Sequence, residues 1–253
     1  MKKLAVAALL TTSLALQAQV ISWNFSSWGI DSGSLHAGVV DAYNWNSSWI
    51  LDGNSQNATD NNLVDNTGAA TTLSLVELGN NNSWNHWYIN NGDLGSDANG
   101  SSSRKMMNGY MNKGGTEATS SPLAAGHAGL TLNAIPYSVY DIYVYFSSDT
   151  AGRVGTVSIG STTYDYSTLG AAAVNGANAS LIQTTDTTGA NPSANYAVFS
   201  GLTGSTQTID NYVNQWGGIA AIQIVATPEP SSMALAVMGG FGVLLMKRRF
   251  KKS

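Results

Sequence analysis

Short apolar runs separated by turn residues recur along the chain and predict an all-β fold. The clearest run is 137–146, YSVYDIYVYF. Alternate residues of a strand point to opposite faces of its sheet, so Ile142 and Val144 share one face, and Tyr143 and Tyr145 share the other. Both faces are largely apolar, which is typical of a strand that is covered on both sides.

Further strands are predicted after this run, at 154–159, 162–166, 196–202, 205–213 and 219–225. Gly160-Ser161, between the first two, is a hairpin signal. Near the start of the chain, Trp23 alternates with Ile21 and Phe25 and is therefore predicted to lie in the core. Stretches rich in Asn, Gly, Ser and Asp at 50–62 and 90–103, and the small residues of 171–179, predict loops.

The two ends of the chain have a different pattern. Residues 1–18 combine a basic start, Met1-Lys2-Lys3, with an apolar run and a small residue at Ala18. This is the pattern of a secretory signal peptide helix cleaved after Ala18. At the other end, residues 227–253 contain Pro228-Glu229-Pro230, the uncharged run 233–246 and a basic tail.

The C-terminal run is short for a membrane-spanning helix. Its 14 residues would extend about 21 Å as a helix, against a hydrocarbon core of ~30 Å. Lys247, Arg248 and Arg249 could reach the headgroups and reduce this mismatch. Because basic residues remain cytoplasmic, residues 19–230 are predicted to be exported.

The order of these C-terminal features resembles the PEP-CTERM sorting signal. The resemblance implies an exosortase-type processing enzyme as partner, with Pro228, Glu229 and Pro230 as recognition elements. It further implies an inner-membrane intermediate held by helix 233–246 and the basic cluster, followed by localisation at the cell surface or in the extracellular matrix.

What remains is one exported domain, residues 19–226, long enough for a single sizeable core. It holds four of the 11 Lys and Arg residues and 14 of the 15 acidic residues, and its net charge is therefore −10. That charge argues against nucleic acid as a partner. The chain has no Cys, so no disulfide supports the fold.

The strand order of residues 130–226 resembles the galactose-binding-like jelly roll of many carbohydrate-binding and malectin-like modules. The matching segments are 140–146, 157–160, 196–202 and 217–224. The exported region as a whole is similar to an uncharacterised verrucomicrobial-type group of PEP-CTERM proteins. The resemblance implies a single jelly-roll-like β-sandwich and carries no assigned activity.

No catalytic motif is apparent in the exported domain. His36, His86 and His127 are far apart and fit no metal-ligand spacing, and no Gly-x-Ser-x-Gly motif occurs. Carboxylate pairs of the kind used in glycoside hydrolysis stay open, because the sequence gives no distances. We therefore expect a protein that is not an enzyme, with no cofactor.

Binding chemistry offers two smaller alternatives. Trp84 and Trp87, in the polar segment 81–88, are candidates for exposed indoles that stack on sugar rings. The segment 52–60 offers several oxygen ligands and leaves a structural calcium ion open, although it lacks the glycine and terminal glutamate of an EF-hand loop. Asn-rich turns without metal have the same composition, and most Trp residues fill cores.

Two functional hypotheses follow. The first is a non-catalytic exported surface or matrix protein, sorted and processed at its C-terminus. The alternative is a carbohydrate-binding module that attaches to extracellular polysaccharide.

Overall fold

The computed structural model describes residues 18–25, 30, 33–47, 59–78, 86–90, 92–111, 123–124 and 126–227. The predicted signal peptide up to residue 17, the PEP motif, the helix 233–246 and the basic tail lie outside these residues. Within them, no helix has the length and apolar character needed to cross a membrane.

The described chain is nearly all β and forms two main sheets in a sandwich-like arrangement, as predicted. The five-stranded sheet has the order β11-β8-β13-β1-β2. Its strands are β1 Val20–Asn24, β2 Asn46–Ser47, β8 Val139–Ser147, β11 Tyr196–Thr203 and β13 Gly218–Ala226.

The six-stranded sheet has the order β10-β9-β12-β7-β4-β3. Its strands are β3 Thr59–Asp60, β4 Ser74–Leu78, β7 His127–Asn133, β9 Ala151–Ile159, β10 Thr162–Leu169 and β12 Thr206–Val213. A small third sheet pairs β5 His86–Tyr88 with β6 Gly109–Met111, beside the short helix α1 Ser103–Met107. A 3₁₀ helix, Gly170–Ala173, begins the predicted loop 171–179.

Local sequence accounts for the hairpin of β9 and β10. Ile159 pairs with Thr162, which leaves a two-residue loop with Gly160 at a φ of 59°. That geometry fits the hairpin turn that has glycine at its first central position. The hairpin prediction is confirmed.

The next pair of neighbouring strands behaves differently. Strands β11 and β12 are separated by only two residues, Gly204 and Ser205, yet β11 pairs with β8, whereas β12 pairs with β7 and β9. The chain therefore passes from one sheet to the other at this point instead of forming a hairpin.

The main core lies between the two sheets. It includes Trp23 and Phe25, as the sequence predicts, and a stacked pair of rings, Phe146 and Tyr166, whose centroids are 3.6 Å apart. Tyr166 occupies space that a side chain at Gly155 would need, since a Cβ there would lie 2.7 Å from its Cζ. Its hydroxyl accepts a hydrogen bond from Asn211 Nδ2 at 2.7 Å.

A second core covers the outer face of the five-stranded sheet. It joins Tyr145 of β8 to Trp45 and to buried residues of α1. Ala220 and Ala221 are consecutive, yet both belong to this cluster, because the β13–β8 register shifts between Ile219 and Ala221. A bulge of this kind turns two neighbouring side chains to one face. Burial of β8 on both faces is therefore confirmed.

Candidate functional site

A buried polar pair on the outer face of the five-stranded sheet holds the loop 37–42. The hydroxyl of Tyr145 donates to Gln223 Oε1 at 2.6 Å and accepts from the backbone N–H of Val39 at 2.8 Å. Gln223 Nε2 donates to the carbonyl of Val40 at 2.6 Å and to the hydroxyl of Ser22 at 3.2 Å. Both polar side chains are fully buried, so these hydrogen bonds replace the water that burial removes.

The close approach of the loop to the Gln223 amide explains why residue 38 is a glycine. Gly38 has a φ of 97°, and a Cβ there would lie 2.3 Å from Gln223 Oε1. Glycine adopts this backbone conformation without steric strain and leaves room for the amide beneath it. The loop can therefore lie directly on the sheet.

Above this loop lies a polar pocket of about 470 Å³, which we call the His36 pocket. Three segments that are distant in sequence meet there. The lining residues are His36, Gly38, Asp41, Asp97, Asn99, Ser101, Ser103, Ala179 and Leu181. The volume is in the range of pockets that bind small molecules.

Asp97 fixes one wall of the pocket. It is only 5% exposed. Its Oδ2 accepts hydrogen bonds from the hydroxyl of Ser101 at 2.9 Å and from the backbone of Ala179 at 3.3 Å, and its Oδ1 accepts from the backbone of Arg104 at 3.3 Å. Both carboxylate oxygens are thus engaged by the protein. Asp97 acts as an anchor that joins the segment 97–104 to residue 179.

The opposite rim is more open. His36 Nδ1 lies 2.5 Å from Asp41 Oδ1, and the His36 ring lies 5.1 Å, centroid to centroid, from the ring of Tyr43. Tyr43 is 45% exposed. An exposed aromatic ring beside the His36–Asp41 pair offers an apolar face and hydrogen-bonding groups together. This combination suits a polyhydroxylated ring.

The structure does not describe the side chains of Trp84 and Trp87, which the sequence predicts as a sugar site. Trp84 lies outside the described residues. Trp87 lies in β5, where its backbone pairs with Tyr110, and the role of its side chain stays a prediction. The processing motif Pro228, Glu229 and Pro230 lies outside the described residues, and so do Lys247, Arg248 and Arg249.

Sequence reasoning missed Trp216, which is 44% exposed in the turn between β12 and β13. Its setting, Asn214-Gln215-Trp216-Gly217, has the same mixture of Trp with amides that pointed to Trp84. That signal was therefore available. The His36 pocket had no such signal, because its residues are brought together only by folding.

Most of the proposed calcium segment 52–60 lies outside the described residues. Within it, Asp60 Oδ2 accepts a hydrogen bond from the indole N–H of Trp23 at 2.8 Å. Across the described part of the chain, no group of three or more His, Asp or Glu side chains is arranged to hold a metal ion.

Comparison with known proteins identifies only the end of the chain. No curated protein and no solved structure shows a significant match to the chain. The PEP-CTERM protein-sorting motif matches residues 226–249 and begins at the last residue of β13. This motif implies export through a membrane-anchored intermediate, with an exosortase as processing partner and localisation at the cell surface. The chain thus carries, directly after its β-sandwich, a PEP-CTERM protein-sorting motif.

Proposed function

We propose that residues 19–226 are a non-catalytic cell-surface or matrix domain delivered by the two ends of the chain. The observation that carries this proposal is the position of the motif. It starts at Ala226, where the last strand of the five-stranded sheet ends. The fold is therefore finished before the processing segment begins.

Contacts at this junction support the proposal. The backbone N–H of Ala226 donates to the carbonyl of Gln19 at 2.9 Å, and that of Thr227 donates to Val139 at 3.0 Å. Gln19 directly follows the predicted signal-peptide cleavage point, and its side-chain amide also donates to Asp65 at 3.0 Å. Gln19 and Thr227, which flank the paired strands β1 and β13, are thus held by the fold, and cleavage after Ala18 and beyond Thr227 would leave every described strand intact.

Each part of the motif has a physical role in this proposal. Pro228 and Pro230 disfavour regular backbone hydrogen bonding, which keeps Glu229 in an extended segment that a processing enzyme can bind. The basic cluster Lys247 to Arg249 stops translocation at the cytoplasmic surface. The domain itself needs no cofactor for this role.

The test replaces Pro228, Glu229 and Pro230 with alanine in the producing cell. We expect the full-length protein to accumulate in the membrane, and intact-mass measurement should show an unprocessed C-terminus. The matched control replaces Ser231 and Ser232 with alanine, which changes the same region and leaves Pro228, Glu229 and Pro230 intact. An identical processed C-terminus in the motif variant would refute the proposal.

A second candidate function is attachment to extracellular polysaccharide, and the His36 pocket favours it. Asp41 places a carboxylate in the lining of a cavity of suitable size, and the ring of Tyr43 packs against His36, which also lines it. Tyr43→Ala and Asp41→Asn should weaken retention of the full-length protein on the host's extracted polysaccharide. Val39→Ala is the matched control, because this exposed residue lies on the same loop. Retention of Tyr43→Ala and Asp41→Asn equal to that of the wild type and of Val39→Ala would show that the pocket does not bind the polysaccharide.

The same assay tests the aromatic residues predicted from the sequence. Trp84→Ala and Trp87→Ala should reduce retention if these indoles stack on sugar. A parallel measurement with a calcium chelator tests the structural calcium ion proposed for segment 52–60. Retention and a thermal midpoint that are unchanged by the chelator would count against the ion.

A further inference from the structure

Trp216 has the one exposed indole among the tryptophans whose side chains the structure describes. Trp23 and Trp45 are buried, whereas Trp216 is 44% exposed. Asn214 and Gln215, which precede it, are also exposed. Trp is on average a highly buried residue, and an exposed indole offers a flat apolar face on which a ligand ring can stack.

The backbone beneath this indole is firmly held. The carbonyl of Trp216 accepts hydrogen bonds from Arg153 Nη1 and, at 2.9 Å, from the hydroxyl of Ser148. Arg153 is fixed in turn by Asp149 Oδ1 at 2.6 Å and by the hydroxyl of Thr150 at 3.0 Å. Because the backbone of Trp216 is already ordered, binding of a ligand to the indole costs the protein little backbone entropy.

The same contacts define the charge of this surface. Arg153 is paired with Asp149, so the two charges neutralise each other next to the indole. Among the described residues, the exposed groups next to it in the chain are the amides of Asn214 and Gln215, and the carbonyl of Val154 accepts a hydrogen bond from the backbone of Asn214 at 2.8 Å. An apolar ring beside neutral hydrogen-bonding groups and a paired arginine is complementary to a neutral polyhydroxylated ligand.

The position of Trp216 in the fold indicates where that ligand would be. In the pairing of β13 with β8, Gly218 lies opposite Ser147 at one end and Ala226 lies opposite Tyr140 at the other. A strand of nine residues extends roughly 30 Å. Trp216 is therefore at the end of the sandwich far from Ala226, where the sorting motif begins.

We propose that Trp216 is a stacking contact for neutral polysaccharide at the membrane-distal end of the domain. This inference rests on the second candidate function, polysaccharide attachment, and assigns it a contact separate from the His36 pocket. The indole face covers a sugar ring, and the amides of Asn214 and Gln215 bond its hydroxyls.

The test measures retention of the full-length protein, in detergent, on three insoluble neutral glucans: cellulose, β-1,3-glucan and starch. Trp216→Ala should raise the half-saturation concentration about tenfold, which corresponds to about 1.4 kcal/mol. Trp216→Phe keeps a smaller aromatic face and should lose less. Ile182→Ala is the matched control, because Ile182 is 45% exposed and lies in a different loop; it should bind as the wild type does.

The outcomes separate this inference from the proposals on which it rests. Equal retention of the wild type and Trp216→Ala overturns the role of Trp216 and leaves the His36 pocket untouched. A wild type that binds none of the glucans overturns the inference, and the assay on the host polysaccharide then decides the second candidate function independently. A Trp216-dependent change in sedimentation coefficient without glucan would identify a second copy of the chain as the occupant and also overturns it.

Discussion

Removing one hydroxyl, in Tyr145→Phe, should loosen the attachment of the loop 37–42 to the sheet without changing the packing of the ring. The Tyr145 hydroxyl donates to Gln223 Oε1 at 2.6 Å and accepts from Val39 at 2.8 Å. Burial raises the pKa of this phenol, so the hydroxyl keeps its proton and remains a donor at neutral pH.

The expected decrease in the free energy of unfolding follows from these two hydrogen bonds. A buried intramolecular hydrogen bond contributes a net of about 0.5–1.5 kcal/mol, which gives about 2 kcal/mol for the pair. After the change, Gln223 Oε1 keeps only the backbone N–H of Val40 at 3.4 Å. For a domain of this size, that loss corresponds to a decrease in Tm of about 4–8 °C.

Tyr143→Phe is the matched control. Tyr143 lies on the same strand and the same face, and within the described chain its hydroxyl forms no hydrogen bond. Urea unfolding followed by tryptophan fluorescence should give a lower midpoint for Tyr145→Phe than for Tyr143→Phe, with the same m-value.

The reasoning fails if the two variants have free energies of unfolding within about 0.5 kcal/mol of each other, the usual effect of a surface change. A second readout concerns the His36 pocket. If the loop is held as described, Tyr145→Phe should also increase amide hydrogen exchange at Val39, and unchanged exchange there would contradict the docking role of the pair.

Two further predictions concern stability. Burial alone raises the pKa of Asp65, but hydrogen bonds from Thr67 and two further residues outweigh it and hold the pKa below its ordinary value. The stabilisation by this carboxylate is therefore complete above about pH 4 and is lost as the pH falls through the lower folded-state pKa. The difference in urea midpoint between the wild type and Asp65→Asn should consequently shrink below pH 4. A difference that stays constant with pH would contradict this prediction. Gly155→Ala should cost about 1–3 kcal/mol, because its Cβ would lie 2.7 Å from Tyr166, whereas Gly92→Ala, where the nearest atom is 3.6 Å away, should leave the thermal midpoint unchanged.

The sequence by itself determined part of the strands and their burial, whereas β2 to β7 were not predicted from it. Alternation of apolar residues is local, so it located β8, β9, β10 and β13 and identified Trp23 as a core residue. The signal-peptide prediction also rests on a linear pattern, and the PEP-CTERM motif is recognised from a short continuous segment. These features require no knowledge of which segments meet.

Only the tertiary structure decided which segments come together. Gly204 and Ser205 look like a hairpin connection, yet the chain changes sheets there, since β11 pairs with β8 and β12 pairs with β7. The His36 pocket joins segments more than 50 residues apart, and its loop is held by Gln223, a polar residue that the sequence shows only as an interruption in an apolar strand. Such contacts depend on pairing between distant strands, which no local pattern encodes.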